Sequence, residues 1–188
     1  ELGINTVRVY NPITEKEVLD ALAAAGIKVI MGFPNFDDCS PQRPDIASGT
    51  YRAHIEHYKD HPAILFWELG SEYNYNPEWF NGDINNWYEA LEETAQAIHE
   101  IDPNHPVSTA HGYLPTADVL AKCPSVDVWG MNIYSWDDPS FVFDEWQRLS
   151  DKPMYISETG ADAWDNTTGQ VDEEAQAEAV INIWVAID

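Results

Sequence analysis

Short apolar runs recur along this chain, and each is followed by a longer stretch with helical spacing. The runs cover Asn5–Tyr10, Lys28–Phe33, Ala63–Leu69, Val107–Ala110, Val126–Ile133 and Met154–Ser157. They are largely apolar at successive positions, which predicts strands buried on both faces of a parallel sheet. Between them the spacing predicts helices over Thr14–Ala25, Ile46–Lys59, Asn86–Ile101, Thr116–Ala121 and Ser140–Leu149, and a last one from near Asp172 to the chain end. Thr14 and Glu17 fit the two ends of a capping box, and Gly26 supplies a helix stop. In Asn86–Ile101, Trp87, Leu91, Ile98 and Ile101 share one face, and Pro103 ends the helix.

Six βα units in strict alternation require a parallel sheet with right-handed crossovers. A doubly wound open sheet and an eightfold barrel both satisfy that rule. No G-x-G-x-x-G follows the first strand, and no G-x-x-x-x-G-K-[ST] occurs, which counts against a nucleotide-binding open sheet. The strand ends favour the barrel, whose chemistry sits at the C-terminal tips of its strands. The first run ends in Arg8 and Tyr10, and the second in Phe33 with Phe36 beyond. The third leads to Glu72, followed by Tyr73, Tyr75, Trp79 and Phe80. The fourth leads to His111 and Tyr113, and the fifth to Asn132, Tyr134 and Trp136. The sixth ends in Glu158, with Trp164 beyond.

Rings beside carboxylates suit a sugar. Aromatic faces pack on the C–H faces of pyranose rings, and polar groups bind the hydroxyls. Two carboxylic acids flanking a glycosidic bond suffice to cleave it: one protonates the leaving oxygen, and the other attacks or activates water. A single Tyr or Trp near a strand end also serves to fill a loop core, so the set carries the reading.

The totals narrow the partners. With 188 residues, 44% of them hydrophobic, the chain can bury one sizeable core. Its 33 acidic residues against 9 basic ones give a net charge of −24, which repels phosphate backbones and argues against nucleic acid. That surface suits a neutral or basic substrate or salty surroundings, and it also keeps a protein soluble. No apolar run approaches the roughly 18–20 residues of a membrane span. Cys39 and Cys123 have no metal-like spacing, and either free thiols or a pair fits them.

Several of these segments resemble a known family. H-P-A-I-L-F-W-E-L-G-S-E resembles the acid/base strand of clan A retaining glycoside hydrolases, usually written with G-N-E, and K-P-M-Y-I-S-E-T-G resembles their nucleophile strand. V-D-V-W-G-M-N-I-Y looks like the strand before the nucleophile, and G-I-N-T-V-R-V-Y like the second strand of the clan. The phrasing is similar both to family 2 barrels and to the β-1,3-glucanosyltransferases of family 72. The resemblance implies an α/β fold, a (β/α)8 TIM barrel that residues 1–188 supply only in part, as units two to seven. A longer natural protein holding the remaining units is then expected, because open sheet edges are adhesive.

The same resemblance implies roles. Glu72 matches the general acid/base and Glu158 the nucleophile. Tyr134 matches the ring that bonds the nucleophile, and Arg8 the basic residue beneath it. His111 matches, loosely, a polar group near the acid/base. Tyr10, Ser71, Tyr73, Trp136 and Trp164 complete the expected substrate-binding set. Glu72 should have a raised pKa, to donate a proton, and Glu158 should stay charged, to attack. The reaction calls for no cofactor and no metal, and a polymeric substrate implies an extracellular or periplasmic setting. Ser71 departs from the clan, whose Asn at this place holds the sugar 2-hydroxyl. Losing that contact would remove on the order of 2–4 kcal/mol of transition-state binding, by analogy with a lost oxyanion donor.

Other readings compete. A carbohydrate-binding barrel without catalysis accommodates Ser71, and a metal-dependent hydrolase is the weaker third. His54, His57 and His61 are spaced for one helix face, but on the outside of the barrel, which favours a structural role. Glu68 stands four residues before Glu72, on the same expected strand face, and reads as buried and paired with Arg8 or Lys28. Asp162 and Asp165 could together hold calcium. Asn166-Thr167-Thr168 fits a glycosylation acceptor, which matters only in a eukaryotic secretory pathway.

Overall fold

The computed structural model describes residues 3–35, 43–135 and 138–187. Among them, six parallel strands form one sheet in chain order: β1 (Thr6–Val9), β2 (Lys28–Phe33), β3 (Ile64–Ser71), β4 (Val107–Gly112), β5 (Val128–Asn132) and β6 (Met154–Glu158). Helices α1 (Lys16–Ala24), α2 (Tyr51–Tyr58), α3 (Asn85–Ile101), α4 (Ala117–Lys122) and α5 (Phe141–Leu149) make the crossovers. A two-residue hairpin, β7 (Trp164–Asp165) with β8 (Gln170–Val171), precedes α6 (Glu173–Ile187).

The sheet is curled. Arg8 of β1 makes a 2.8 Å bond to Glu158 of β6, although four strands stand between them. In a flat sheet β1 and β6 would lie roughly 24 Å apart, five spacings of about 4.8 Å. The sheet is therefore an incomplete (β/α)8 barrel. Its outer face buries Met31, Trp67, Leu69, Trp129 and Met131 with Leu19, Ile55, Leu91, Ile98 and Trp146 of the helices. Among the described residues, no helix is long and apolar enough to cross a membrane.

Two helix starts differ from the sequence expectation. Thr14 does not cap α1, which begins at Lys16; the Thr14 carbonyl instead accepts the Tyr58 hydroxyl at 2.7 Å, outside the helix. The stop at Gly26 is formed as expected. Its N–H bonds Ala23, that of Ile27 bonds Leu22, and Gly26 is left-handed (φ 73°), the geometry that glycine adopts without a Cβ clash. Helix α2 starts at Tyr51 rather than Ile46. The Asp45 carboxylate takes the Ser48 N–H (2.9 Å) and hydroxyl (2.7 Å), so the chain turns there first.

Strands β3, β4 and β6 run further than the apolar runs, and two of them carry irregularities that shape the site. Glu68 pairs with Ser108 and Ser71 with Ala110, so three steps on β3 meet two on β4. Residues 68 and 71 of a regular strand face opposite sides. This bulge puts both on the inner face, where Arg8 bonds each of them. Even spacing therefore does not explain how Glu68 and Glu72 come to line one cavity: the strand bulges, then ends at Ser71. On β6, Met131 pairs with Ile156 but Asn132 pairs with Glu158, leaving Ser157 as the extra residue. Ser157 bonds Asn132 (2.6 Å) while its neighbour Glu158 also turns inward to Arg8.

Candidate active site

Glu158 is the most heavily bonded carboxylate at the strand tips. Its Oε1 accepts from Arg8 Nη1 (2.8 Å) and the Tyr10 hydroxyl (2.8 Å), and its Oε2 accepts from the Tyr134 hydroxyl (2.7 Å). The Ser71 hydroxyl lies 3.5 Å from Oε1 and accepts Arg8 Nη2 at 3.2 Å. Burial pushes the Glu158 carboxyl up, but the bonds from Tyr134, Arg8 and Tyr10 outweigh it and hold the pKa below the usual value. The bond to Glu158 is also the main cause that pushes the Tyr134 phenol up to about 12, so Tyr134 stays a donor at neutral pH. The site thus holds an ionised carboxylate among three committed donors.

Glu72 sits just past β3 with a left-handed backbone (φ 56°), a conformation that costs a residue with a Cβ about 1–2 kcal/mol. Surrounding bonds hold it there. Its N–H bonds Ala110 (2.9 Å), and its carbonyl accepts the Tyr75 N–H (3.1 Å) and Asn76 Nδ2 (3.3 Å). Asn74 bonds both the N–H and the carbonyl of Gly112, tying this turn to the tip of β4. A Cβ on Gly112 would lie 2.1 Å from the exposed Tyr75 ring, so the glycine lets that ring lie against the tip of β4. Glu72 and Glu158 line the same cavity of about 370 Å³, together with Tyr10, Ser71, Tyr73 and Trp79. Gly32 and Gly70 open part of its wall, and Asn11 and Pro34 border it; the sequence reading had named none of these four.

The remaining candidates have other surroundings. Tyr73 forms part of the cavity wall but is buried, its hydroxyl accepting the Asn35 N–H (2.8 Å) and its ring packed on Trp79, Phe80 and Trp87. His111 is buried against structural partners: Nδ1 donates to the Tyr113 carbonyl (3.0 Å), which leaves Nε2 to accept the Tyr88 hydroxyl (3.1 Å). Burial lowers its pKa and keeps it neutral. Trp164 stands on the β7–β8 hairpin and lines a separate depression with Asn166 and Thr167. Trp136, Phe36 and Cys39 lie outside the described residues, and Cys39 takes the pairing question with it. Cys123 is buried, with its thiol against the Tyr88 carbonyl, and burial pushes its pKa up to about 12.

The metal candidates have local tasks. His54 is buried against Phe33 and Tyr58, which lowers its pKa to about 4. His61 lies beyond the end of α2 and contacts Asp20 (3.1 Å), so the three histidines do not share one helix face. Asp162 accepts the Trp164 N–H, and Asp165 holds the hairpin turn through Thr167 and Thr168. Glu68 pairs with Arg8 at 2.7 Å, whereas Lys28 bonds the Pro62 carbonyl.

A curled βα sheet with two carboxylates in one cavity at its strand tips is the arrangement on which βα-barrel glycoside hydrolases are built. The chain belongs to the family described as glycosyl hydrolases family 2, TIM barrel domain, which matches residues 3–181. It is 28% identical over 181 residues to a β-glucuronidase of Rattus norvegicus, covering 86% of this chain and 26% of that protein. Its fold is similar to that of a β-D-glucuronidase from Dictyoglomus thermophilum (TM-score 0.63, 23% identity, 99% of this chain and 36% of that one). It is also similar to an active-site mutant of the Rhizomucor miehei β-1,3-glucanosyltransferase in complex with laminaritriose (TM-score 0.67, 18% identity, 95% of this chain and 69% of that one). The chain spans about a quarter to a third of the length of the two glucuronidases.

Proposed function

We propose that this chain cleaves β-glycosidic bonds of a polysaccharide, with β-1,3-glucan the leading candidate, and retains configuration by double displacement. The observation that carries the reading is the bonding of Glu158, a carboxylate kept ionised and aimed by three donors, beside Glu72 in one cavity. In the first step a Glu158 oxygen attacks the anomeric carbon while Glu72 gives its proton to the leaving oxygen. In the second, Glu72 takes a proton from water or from a sugar hydroxyl, which attacks the same carbon and frees the Glu158 carboxylate. Tyr10 and Tyr134 steady the nucleophile before attack and the carboxylate after release.

A neutral glycan is favoured over a uronate. With Glu72 protonated for the first step, Arg8 balances only one of the two remaining carboxylates, Glu68 and Glu158, and the chain carries a net charge of −24, so an anionic sugar is repelled. Likeness to the laminaritriose-bound fold supports a glucan. A polymeric substrate fits extracellular or periplasmic work. Glu72→Gln and Glu158→Ala, assayed on laminarin, aryl β-glucosides and aryl β-glucuronides, test the proposal. The expected result is loss of at least about a thousandfold in kcat/KM for both variants, with the neutral substrates preferred by the parent. Variants that match the parent would refute catalysis, and a preference for the glucuronide would refute the neutral glycan.

Ser71 gives a second reading its footing. Its hydroxyl is engaged by Arg8 and faces Glu158. A barrel that binds glycan but turns it over weakly or not at all fits that arrangement. Laminari-oligosaccharide binding by calorimetry, without product formation, would favour it.

A further inference from the structure

Three carboxylates line the cavity, and the double displacement leaves Glu68 without a task. Glu68 is 1% exposed, on the inner face of β3. Its Oε1 takes the Arg8 Nε–H at 2.7 Å, and its Oε2 takes the Tyr155 hydroxyl. Tyr155 reaches it from β6 across the inside of the barrel. A Cβ on Gly130 of β5 would lie 2.8 Å from the Tyr155 ring, Ser108 of β4 sits 3.3 Å from its hydroxyl, and Phe66 of β3 packs on its ring. Glycine on β5 and serine on β4 thus clear the path for one contact, that of Tyr155 with Glu68.

Arg8 gives a different nitrogen to each neighbour: Nε to Glu68, Nη1 to Glu158 and Nη2 to Ser71. The guanidinium donors are fixed in one plane, so anchoring Nε also aims Nη1 and Nη2. Burying an acid at this position is costly, and an apolar residue of the same size would fill the space without that cost. The expense has a use in the covalent step. When Glu158 becomes a glycosyl ester it loses its charge, and Arg8, 11% exposed, would be a nearly buried cation without a counter-charge unless Glu68 remained.

We propose that Glu68 is a positioning residue for Glu158: it aims Arg8 at the nucleophile and keeps Arg8 counter-charged while Glu158 carries the glycosyl ester. The role in the ester rests on the double-displacement reading above. Glu158 is faced by Arg8 of β1, Tyr10 just beyond it, Ser71 of β3 and Tyr134 after β5. Glu68 is faced by Arg8, by Tyr155 and, at longer range, by Glu158. Burial pushes the Glu68 carboxyl above the usual value despite Arg8 and Tyr155, while Glu158 is held below it. Two carboxylates on one guanidinium are thus drawn apart in acidity, as divided roles require.

The test is Glu68→Gln, which keeps the size and an oxygen for the Arg8 Nε–H but removes the charge. The guanidinium signals of Arg8 are followed by nitrogen-15 NMR at pH 7 in the 188-residue chain, and kcat/KM is measured on an aryl β-glycoside. The Arg8 Nη1 proton signal, which the bond to Glu158 keeps distinct, merges with those of the other guanidinium protons as Arg8 loses its anchor. The value of kcat/KM falls about tenfold, because forming the ester leaves Arg8 without a counter-charge. Tyr155→Phe touches neither Arg8 nor Glu158 and makes Glu68 harder to ionise, so it gives a smaller change in the same direction and carries the test if the first variant does not fold. An Arg8 Nη1 signal that stays distinct in the folded variants, with only the melting temperature altered, overturns the proposal. Variants that lose the distinct signal in a chain whose parent cleaves no glycoside contradict the function above and leave the aiming role standing. A parent that turns over, with variants that keep both the signal and kcat/KM, contradicts Glu68 alone.

Discussion

Arg8 is the residue on which the site turns, since it touches Glu68, Ser71 and Glu158 at once. One consequence is acid sensitivity. The folded pKa of Glu158 is lowered, so its bonds contribute stability above the unfolded value of about 4.3, and that contribution is lost as pH falls through the folded pKa. The melting temperature of the parent chain should therefore drop more steeply below about pH 4.3 than that of Glu158→Gln, as followed by calorimetry. Ser71→Asn tests the other neighbour. An amide at this place would offer a donor to the sugar 2-hydroxyl, and kcat/KM on an aryl β-glucoside should rise about tenfold. A fall would mean that the Ser71 contacts with Arg8 and Glu158 matter more. The place of Glu72 and Glu158 at the strand tips was legible in the sequence because each follows an apolar run. The fates of Tyr73 and His111 were not, because the partners that bury them, Asn35 and Tyr88, lie on segments distant in sequence.

The strands and most of the helices could be read from apolar spacing, since burial on both faces of β2–β5 leaves a continuous apolar run, while β1 and β6 at the sheet edges are half-buried. Their tips could not. Gly70 and Ser71 look like punctuation, yet they continue β3 through a bulge, and a single extra residue leaves no periodic trace. The β7–β8 hairpin was also missed, because two-residue strands are too short to show alternation. Close contact between strands makes its own prediction. A Cβ at Gly32 of β2 would lie 2.1 Å from the Val9 carbonyl oxygen of β1, a backbone atom with little freedom to yield. Gly32→Ala should cost about 1–3 kcal/mol of stability by urea denaturation and should disturb the cavity wall that Gly32 forms.

At the scale of the molecule, strict βα alternation made the parallel sheet legible, and the polar and aromatic residues after its strands pointed to the barrel, whose curl shows in the Arg8 to Glu158 contact. The net charge of −24 sets the response to salt: mutual repulsion among acidic residues opposes the compact state, and screening relieves it. The melting temperature at pH 7 should rise between 0.01 M and 1 M sodium chloride, over which the screening length shortens from about 30 to 3 Å. A flat or falling profile would mean that local ion pairs such as Lys16–Asp20 outweigh the general repulsion. The central claim is that this curled sheet brings Glu158 to the anomeric carbon as nucleophile. Incubation with a 2-deoxy-2-fluoro-β-glycosyl inactivator, followed by peptide mapping, tests it most directly. A single glycosyl label on Glu158 is the expected result; a label on Glu68, Glu72 or any other residue would contradict its role as nucleophile.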